Sequence, residues 1–398
     1  MISAAYAVSR PLSLRISSLA STAQRPLTCP VHLSPAMMAS NPPTWTRLYS
    51  QPATPQPEKK SEKKPIPEPR PSASIVLLSP TNEVLLLHRV KTSTSFASAH
   101  VFPGGNLDAF HDGDIPAPGT HERHRDGPAY RLGAIRECFE ETGILLAKKD
   151  GRLVDLPQQE RDEARKKIHG SQIRFADWLK SIGAEADLES LIPFTRWLTP
   201  VGVGKRFTTQ MYLYMLPISR SGIPSEMLVP TPDGGVEHTE AIFAPPQTFL
   251  SRVASNEMIL FPPQYYILTL LTKFLKGPTI SVEEGPIYYT RQRKQLLKFV
   301  KATPTVDTEK AKDHVTSSIS WADKVISPYH LFVRKSDKRV VLGLEKPGLE
   351  LKDSDRGGDW ERVVLVSFGK AGPSQVEVRL REDVLAEEKE AASGGSKL

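Results

Sequence analysis

The chain has 398 residues, 39% of them hydrophobic and 24% charged, enough to bury a full core in one large or two modest domains. The formal charge of +7 would suit a polyanionic partner, but the basic excess sits early in the chain, outside the expected fold, which argues against nucleic acid. Two cysteines, Cys29 and Cys138, build no disulfide framework, no Cys/His run has zinc spacing, and no apolar run approaches the roughly 20 residues of a membrane-spanning helix.

Residues 1–51 lack Asp and Glu and carry Arg10, Arg15, Arg25 and Arg47 in a Ser-rich stretch, the composition of a transit peptide or a disordered N-terminus. Residues 52–71 alternate Pro with Lys and read as a linker. Globular sequence is expected from 72. The apolar run Ala73 to Ser79, the turn Pro80-Thr81-Asn82 and the run Val84 to Leu87 predict a β-hairpin. Val101-Phe102 then leads into Gly104-Gly105, a tight loop whose glycines permit backbone approaches that side chains forbid. Residues 108–127 lack periodicity and read as an irregular insertion. Pro128 opens a helix expected over Tyr130 to Thr142, with Leu132, Ile135 and Phe139 at helical spacing and Gly143 as its C-terminal cap.

Residues 157–190 form a polar helical insertion carrying Phe175, Trp178 and Leu179. Gln210 to Leu216 and Ala241 to Ala244 are strand candidates, and Pro263 to Leu275 is expected as the final apolar helix of a domain spanning 72–277. Strand candidates at Tyr329 to Val333, Arg339 to Leu344, Arg362 to Phe368 and Gln375 to Leu380 make 278–386 a β-rich C-terminal appendage, followed by a flexible tail over 387–398.

Chemistry concentrates on the helix. Glu137, Glu140 and Glu141 stand at i, i+3 and i+4, so their carboxylates gather on one stripe opposite the apolar positions. Three like charges repel, and a hard divalent cation would relieve that repulsion; the alternative is a solvated acidic face. Arg136 either orients a glutamate or makes a surface i, i+4 pair with Glu140.

Gly105 followed by Arg136-Glu137-Cys138-Phe139-Glu140-Glu141-Thr142-Gly143-Ile144 resembles the Nudix box. That resemblance implies an α/β (α+β) fold, an α/β/α sandwich around a mixed sheet, and a diphosphate-cleaving enzyme dependent on Mg²⁺ or Mn²⁺. It also implies Glu137, Glu140 and Glu141 as metal ligands and catalytic residues together with Arg136. The first half of the box departs from the pattern: Arg136 follows Gly105 by 31 positions, about 17 more than usual, and the usual first glutamate falls on His111, with Asp108 as a partial substitute. The interruption resembles a branch of peroxisomal coenzyme A diphosphatases, with further matches at Arg196-Trp197-Leu198-Thr199-Pro200, at Lys205-Arg206-Phe207-Thr208-Thr209 and at Phe261-Pro262-Pro263.

Gly104, Gly105, Arg89, Lys205 and Arg206 are the substrate-binding candidates, the basic ones as phosphate partners. Glu237 or Glu240 could serve as an auxiliary base, while His88, His100 and His238 lack ligand spacing and read as structural. Ser396-Lys397-Leu398 has the form of a peroxisomal import signal read by a receptor, whereas the N-terminus points to mitochondria. Competing functional readings are a Nudix hydrolase of NADH, ADP-ribose or another nucleoside diphosphate derivative, and a non-catalytic module binding nucleotide or RNA in a mitochondrial assembly.

Overall fold

The computed structural model describes residues 66–90, 98–218, 230–231, 238–279 and 284–394. The expected hairpin is β1 (Arg70–Leu78) and β2 (Val84–Arg89), antiparallel with Leu78 opposite Val84 and with Asn82 left-handed at φ 62° in the turn. Strand β1 starts inside the stretch read as linker. Ala73, Ile75 and Leu77 face one core and Val76 and Leu78 the other, so the strand is buried on both sides and reads as a continuous apolar run. Short strands β3 (His100–Val101) and β4 (Gly104–Asn106) follow, then α1 (Ala109–Asp112), a 3-10 turn at His121–His124 and α2 (Pro128–Thr142). The 108–127 insertion is packed rather than irregular, with His111, Asp112 and His124 buried.

Helix α2 begins with proline in its first turn and ends at Gly143, left-handed at φ 73° with its N–H on the Phe139 carbonyl. Strands β5 (Ala147–Lys149) and β6 (Arg152–Leu153) follow, and helices α3 (Gln158–His169) and α4 (Phe175–Ser181) with strand β7 (Glu185–Ala186) occupy the second insertion. Phe139 of α2 stacks on Trp178 at 5.0 Å between ring centroids, which anchors the insertion on the helix's apolar back.

The main sheet is completed by β8 (Ile192–Leu198), β9 (Phe207–Met215) and β10 (His238–Ala244). Then come α5 (Pro246–Ala254), α6 (Pro262–Leu271), α7 (Gly285–Lys301), the single turn α8 (Glu309–Lys312) and β11 (Val325–Ile326). The strand order is β10-β2-β1-β9-β8-β11, with β3 on β2 and β4 on β1; β1–β9 and β8–β11 are parallel, so the sheet is mixed as expected. Helix α2 lies against one face, and the apolar residues of α5 and α6 join the core on the other.

All four C-terminal strands form where expected, as an antiparallel sheet of β12 (Tyr329–Val333), β13 (Val340–Leu344), β14 (Asp359–Gly369) and β15 (Gly372–Leu380). The segment is not an appendage. Leu342, Val364, Val366 and Val376 share one continuous core with Val76, Trp197 and Leu268, because β13 and β14 alternate an apolar face toward α6. Tyr266 of α6 donates to Asp359 at 2.6 Å, and β11 extends the main sheet. Helix α7 is clamped to the β1–β2 turn by Arg293, which donates to Asn82 Oδ1 and to the Leu216 and Ser79 carbonyls.

The expected flexible tail is instead helix α9 (Arg381–Gly394) through residue 394. Val384 plugs into the outer face of the C-terminal sheet, and Glu387 pairs with Arg334 and Arg379. Residues 395–398, with the import signal, lie outside the described residues, as do 1–65. No described helix is long and apolar enough to cross a membrane.

Candidate active site

The site is built around Arg136. Its side chain is buried and spends all of its donors: Nε and Nη2 on the two oxygens of Asp112 at 2.9 and 2.8 Å, Nη1 on Glu137 and Glu140 at 2.8 and 3.0 Å, and Nη2 also on the Asn106 carbonyl. Burial opposes the guanidinium charge, but Asp112, Glu137 and Glu140 outweigh it and raise its pKa. Both roles read for Arg136 are therefore present at once: it orients two glutamates and makes the i, i+4 pair.

Asp112, and not Asp108, completes the interrupted half of the box. Asp108 is exposed and caps α1 by accepting from the Phe110 N–H, whereas the fully buried Asp112 carboxylate forks onto Arg136. Gly133 makes room for it, since a Cβ there would lie 2.9 Å from Asp112 Oδ2. A second acid one turn after Asp108 is the one sequence signal that could have found it. His111 is also buried and faces the cavity; its Nδ1 accepts from the Phe175 N–H.

Gly104 and Gly105 position the glutamates. The Gly104 N–H donates to Glu141 at 2.8 Å, and its φ of 150° places the residue where a Cβ would meet the Ala73 carbonyl and Ser74 backbone. A Cβ on Gly105 would lie 2.6 Å from the Glu137 carboxyl carbon. Burial, with Glu140 alongside and against the pull of Arg136, pushes the Glu137 carboxyl up to about 7. Glu141 is buried, with His238 Nε2 at 3.5 Å from Oε1. Glu140 meets His169 Nδ1 at 3.1 Å, and Arg165 holds its backbone carbonyl through Nε and Nη2. Cys138 faces the core, its thiol pushed up by burial to about 12.

All three glutamates line one cavity of about 1010 Å³, together with Arg89, Gly104, Gly105, Arg165, Lys166 and His169. The carboxylates do not close into a tight cage. Among the described residues, the potential ligand trio within 4.8 Å is His88, His100 and Glu240, brought side by side by β3, β2 and β10. These residues had no ligand spacing along the sequence because strand pairing, not sequence separation, makes them neighbours. Glu240 is exposed and does not line the cavity, and Glu237 lies outside the described residues.

Two of the basic candidates are corrected. Arg206 is turned inward, forked onto Glu350 at 2.5 and 3.0 Å and donating to the Thr199 and Pro67 carbonyls. Lys205 is exposed and, like Arg206, absent from the cavity wall. The basic side chains that do line the cavity include, besides Arg89, Arg165, Lys166 and His169 of α3, in a segment read only as an insertion. The other downstream matches are structural or lining: Arg196 is buried over the Tyr130 ring at 4.4 Å, while Trp197, Phe207 and Phe261 line the cavity.

A loop of two glycines and a helix of three glutamates, organised by a buried Arg–Asp fork beside a mixed sheet, form the arrangement that the resemblance to the Nudix box implies. Residues 120–271 match the family model of the NUDT19 Nudix domain. The chain is 30% identical over 241 residues to the acyl-coenzyme A diphosphatase NUDT19 of Gallus gallus, an alignment covering 48% of this chain and 61% of the relative. The putatively named nudix hydrolase 7 of Caenorhabditis elegans is 27% identical over 205 residues, covering 51% and 61%. The chain thus spans about three fifths of the length of these relatives. A crystal structure of a Nudix hydrolase from Alicyclobacillus acidocaldarius is 24% identical with a TM-score of 0.41, covering 54% of this chain and 98% of that one.

Proposed function

We propose that the protein is a Nudix diphosphatase that hydrolyses the diphosphate of coenzyme A or acyl-coenzyme A, giving 3′,5′-ADP and 4′-phosphopantetheine or its acylated form. The observation that carries the reading is the single cavity that joins Glu137, Glu140 and Glu141 to the basic side chains of α3. The similarity to acyl-coenzyme A diphosphatases supports the choice of substrate.

The donor set fits Mg²⁺ or Mn²⁺. It consists of carboxylate oxygens, and the Glu137 carboxyl, raised chiefly by burial and further by Glu140, is one that a bound cation would hold ionised. An open arrangement of carboxylates suits a cation that retains waters and binds substrate phosphates. Glu137, Glu140 and Glu141 would hold the metal, which when bound offsets charge on the phosphoryl oxygens and lowers the pKa of a coordinated water.

The chain's own residues supply the rest. Arg136 fixes the Glu137 and Glu140 carboxylates, and the Gly104 N–H fixes Glu141. Arg165 and Lys166 provide positive charge for phosphate oxygens at the same mouth, which His169 also lines. Water forms the new P–O bond as the bridging P–O bond breaks, and a carboxylate of the trio takes the proton. Glu140→Gln should remove nearly all turnover and leave the circular dichroism spectrum unchanged; substantial retained activity would refute the assignment. The same reading proposes peroxisomal import through Ser396-Lys397-Leu398, tested by masking Leu398 with a C-terminal tag.

A further inference from the structure

The cavity is divided by charge. Every acidic or basic residue that lines it falls between Arg89 and His169, on α2, α3, α1 with its cap and the end of β2. From Trp197 onward the lining is uncharged, with Trp197, Met211, Phe261, Ile267, Leu342 and Phe368 among its large apolar members. Trp197, Met211, Ile267 and Leu342 belong to the core on the face of the main sheet opposite α2. The cavity therefore continues from the glutamates past the β4 loop to the other face of the sheet, and there the C-terminal sheet becomes its wall. Leu342 on β13 and Phe368 on β14 lie well beyond the segment matched by the family model.

A diphosphate site has no use for such an arm if both halves of its substrate are polar. Apolar walls continuous with a phosphate site suit a ligand with an anionic diphosphate in its middle and a hydrocarbon chain at one end. We propose that this arm binds the apolar acyl chain carried on the non-nucleotide half of the substrate, and that β13 and β14 set the preferred chain length through Leu342 and Phe368. The proposal rests on the diphosphatase reading above. It gives the C-terminal sheet a function: by packing against α6 it closes an otherwise open apolar slot next to the active site.

Burying one methylene is worth about 0.8 kcal/mol, about fourfold in affinity. With acyl-coenzyme A thioesters of increasing chain length, KM should fall about fourfold per added methylene until the arm is full, while kcat changes little. Phe368 is partly exposed, so Phe368→Glu puts a charge into the arm at small risk to folding. It should lower kcat/KM for a long-chain thioester at least tenfold and leave that for free coenzyme A within twofold. Leu342→Trp, which shortens the arm instead of charging it, should reject long chains and spare short ones.

The same variants are to be titrated for displacement of a fluorescent twelve-carbon acyl thioester from the Glu140→Gln protein. That measurement needs no turnover. Absence of hydrolysis on free coenzyme A would sink the diphosphatase reading, while chain-length-dependent binding lost in Phe368→Glu would still support the arm. Equal losses on free and acylated substrate, or binding independent of chain length, would overturn the proposal.

Discussion

Replacing Asp112 by Asn tests the most specific structural assignment at the site. The Asp112 side chain is fully inaccessible and gives both oxygens to Arg136, itself 5% exposed. Removing one partner of a buried pair typically costs 3–5 kcal/mol, because the remaining charge stays buried. Glu137 and Glu140 still neutralise Arg136, and Asn keeps one acceptor, so the expected cost is about 3 kcal/mol. In a chain of 398 residues that lowers the melting temperature by roughly 4 °C. Freed from the fork, Arg136 no longer fixes the two glutamates, and kcat/KM should drop about 100-fold, the typical penalty for small misplacement of catalytic groups. Asp108→Asn, which keeps an equally good cap at an exposed position, should change stability by less than about 0.5 kcal/mol and spare activity. Thermal denaturation and initial rates on the two variants decide the matter. If Asp108→Asn proved the more damaging, or Asp112→Asn matched wild type, the site would be built differently.

Two further outcomes follow from the geometry. Gly105→Ala places a methyl against the movable Glu137 carboxylate, so stability should change by less than about 1 kcal/mol while kcat falls steeply; Gly104→Ala meets backbone at φ 150° and should cost about 2–3 kcal/mol by chemical denaturation. His100 is held neutral, its pKa lowered to about 3 by burial and by His88 and Arg252. The unfolded chain binds a proton there near pH 6.5 and the folded chain does not, so stability is fully present above pH 6.5 and drains away as pH falls toward 3. Against His100→Phe, wild type should lose about 1.4 kcal/mol per pH unit below 6.5, and parallel pH profiles would contradict this.

The sequence made α2 legible because its signals are local: proline at the start, glycine at the cap and an apolar stripe between. The hairpin and the four C-terminal strands were equally local. What escaped depended on packing. Helix α7 buries Arg293 among Tyr289, Leu296 and Val300, so a charged residue sits in its inward stripe and masks the amphipathic pattern. Strand β8 buries Arg196 and includes Pro193, which breaks its alternation. Arg206 looked like a phosphate ligand because only the fold reveals Glu350 opposite it, and Asp112 was hidden in a loop with many acids. The glutamates of α2 were expected on one stripe and all three line the cavity, but the basic side chains beside them come from α3, in a segment whose sequence read only as an insertion.

Incubating the purified protein with coenzyme A, acyl-coenzyme A, NADH and ADP-ribose, with and without Mg²⁺, tests the central claim. Formation of 3′,5′-ADP from coenzyme A or its thioesters, dependent on Mg²⁺, abolished in Glu140→Gln and faster than cleavage of the other two substrates, is the expected result. Absence of any diphosphate cleavage, or equal cleavage by Glu140→Gln, would contradict it.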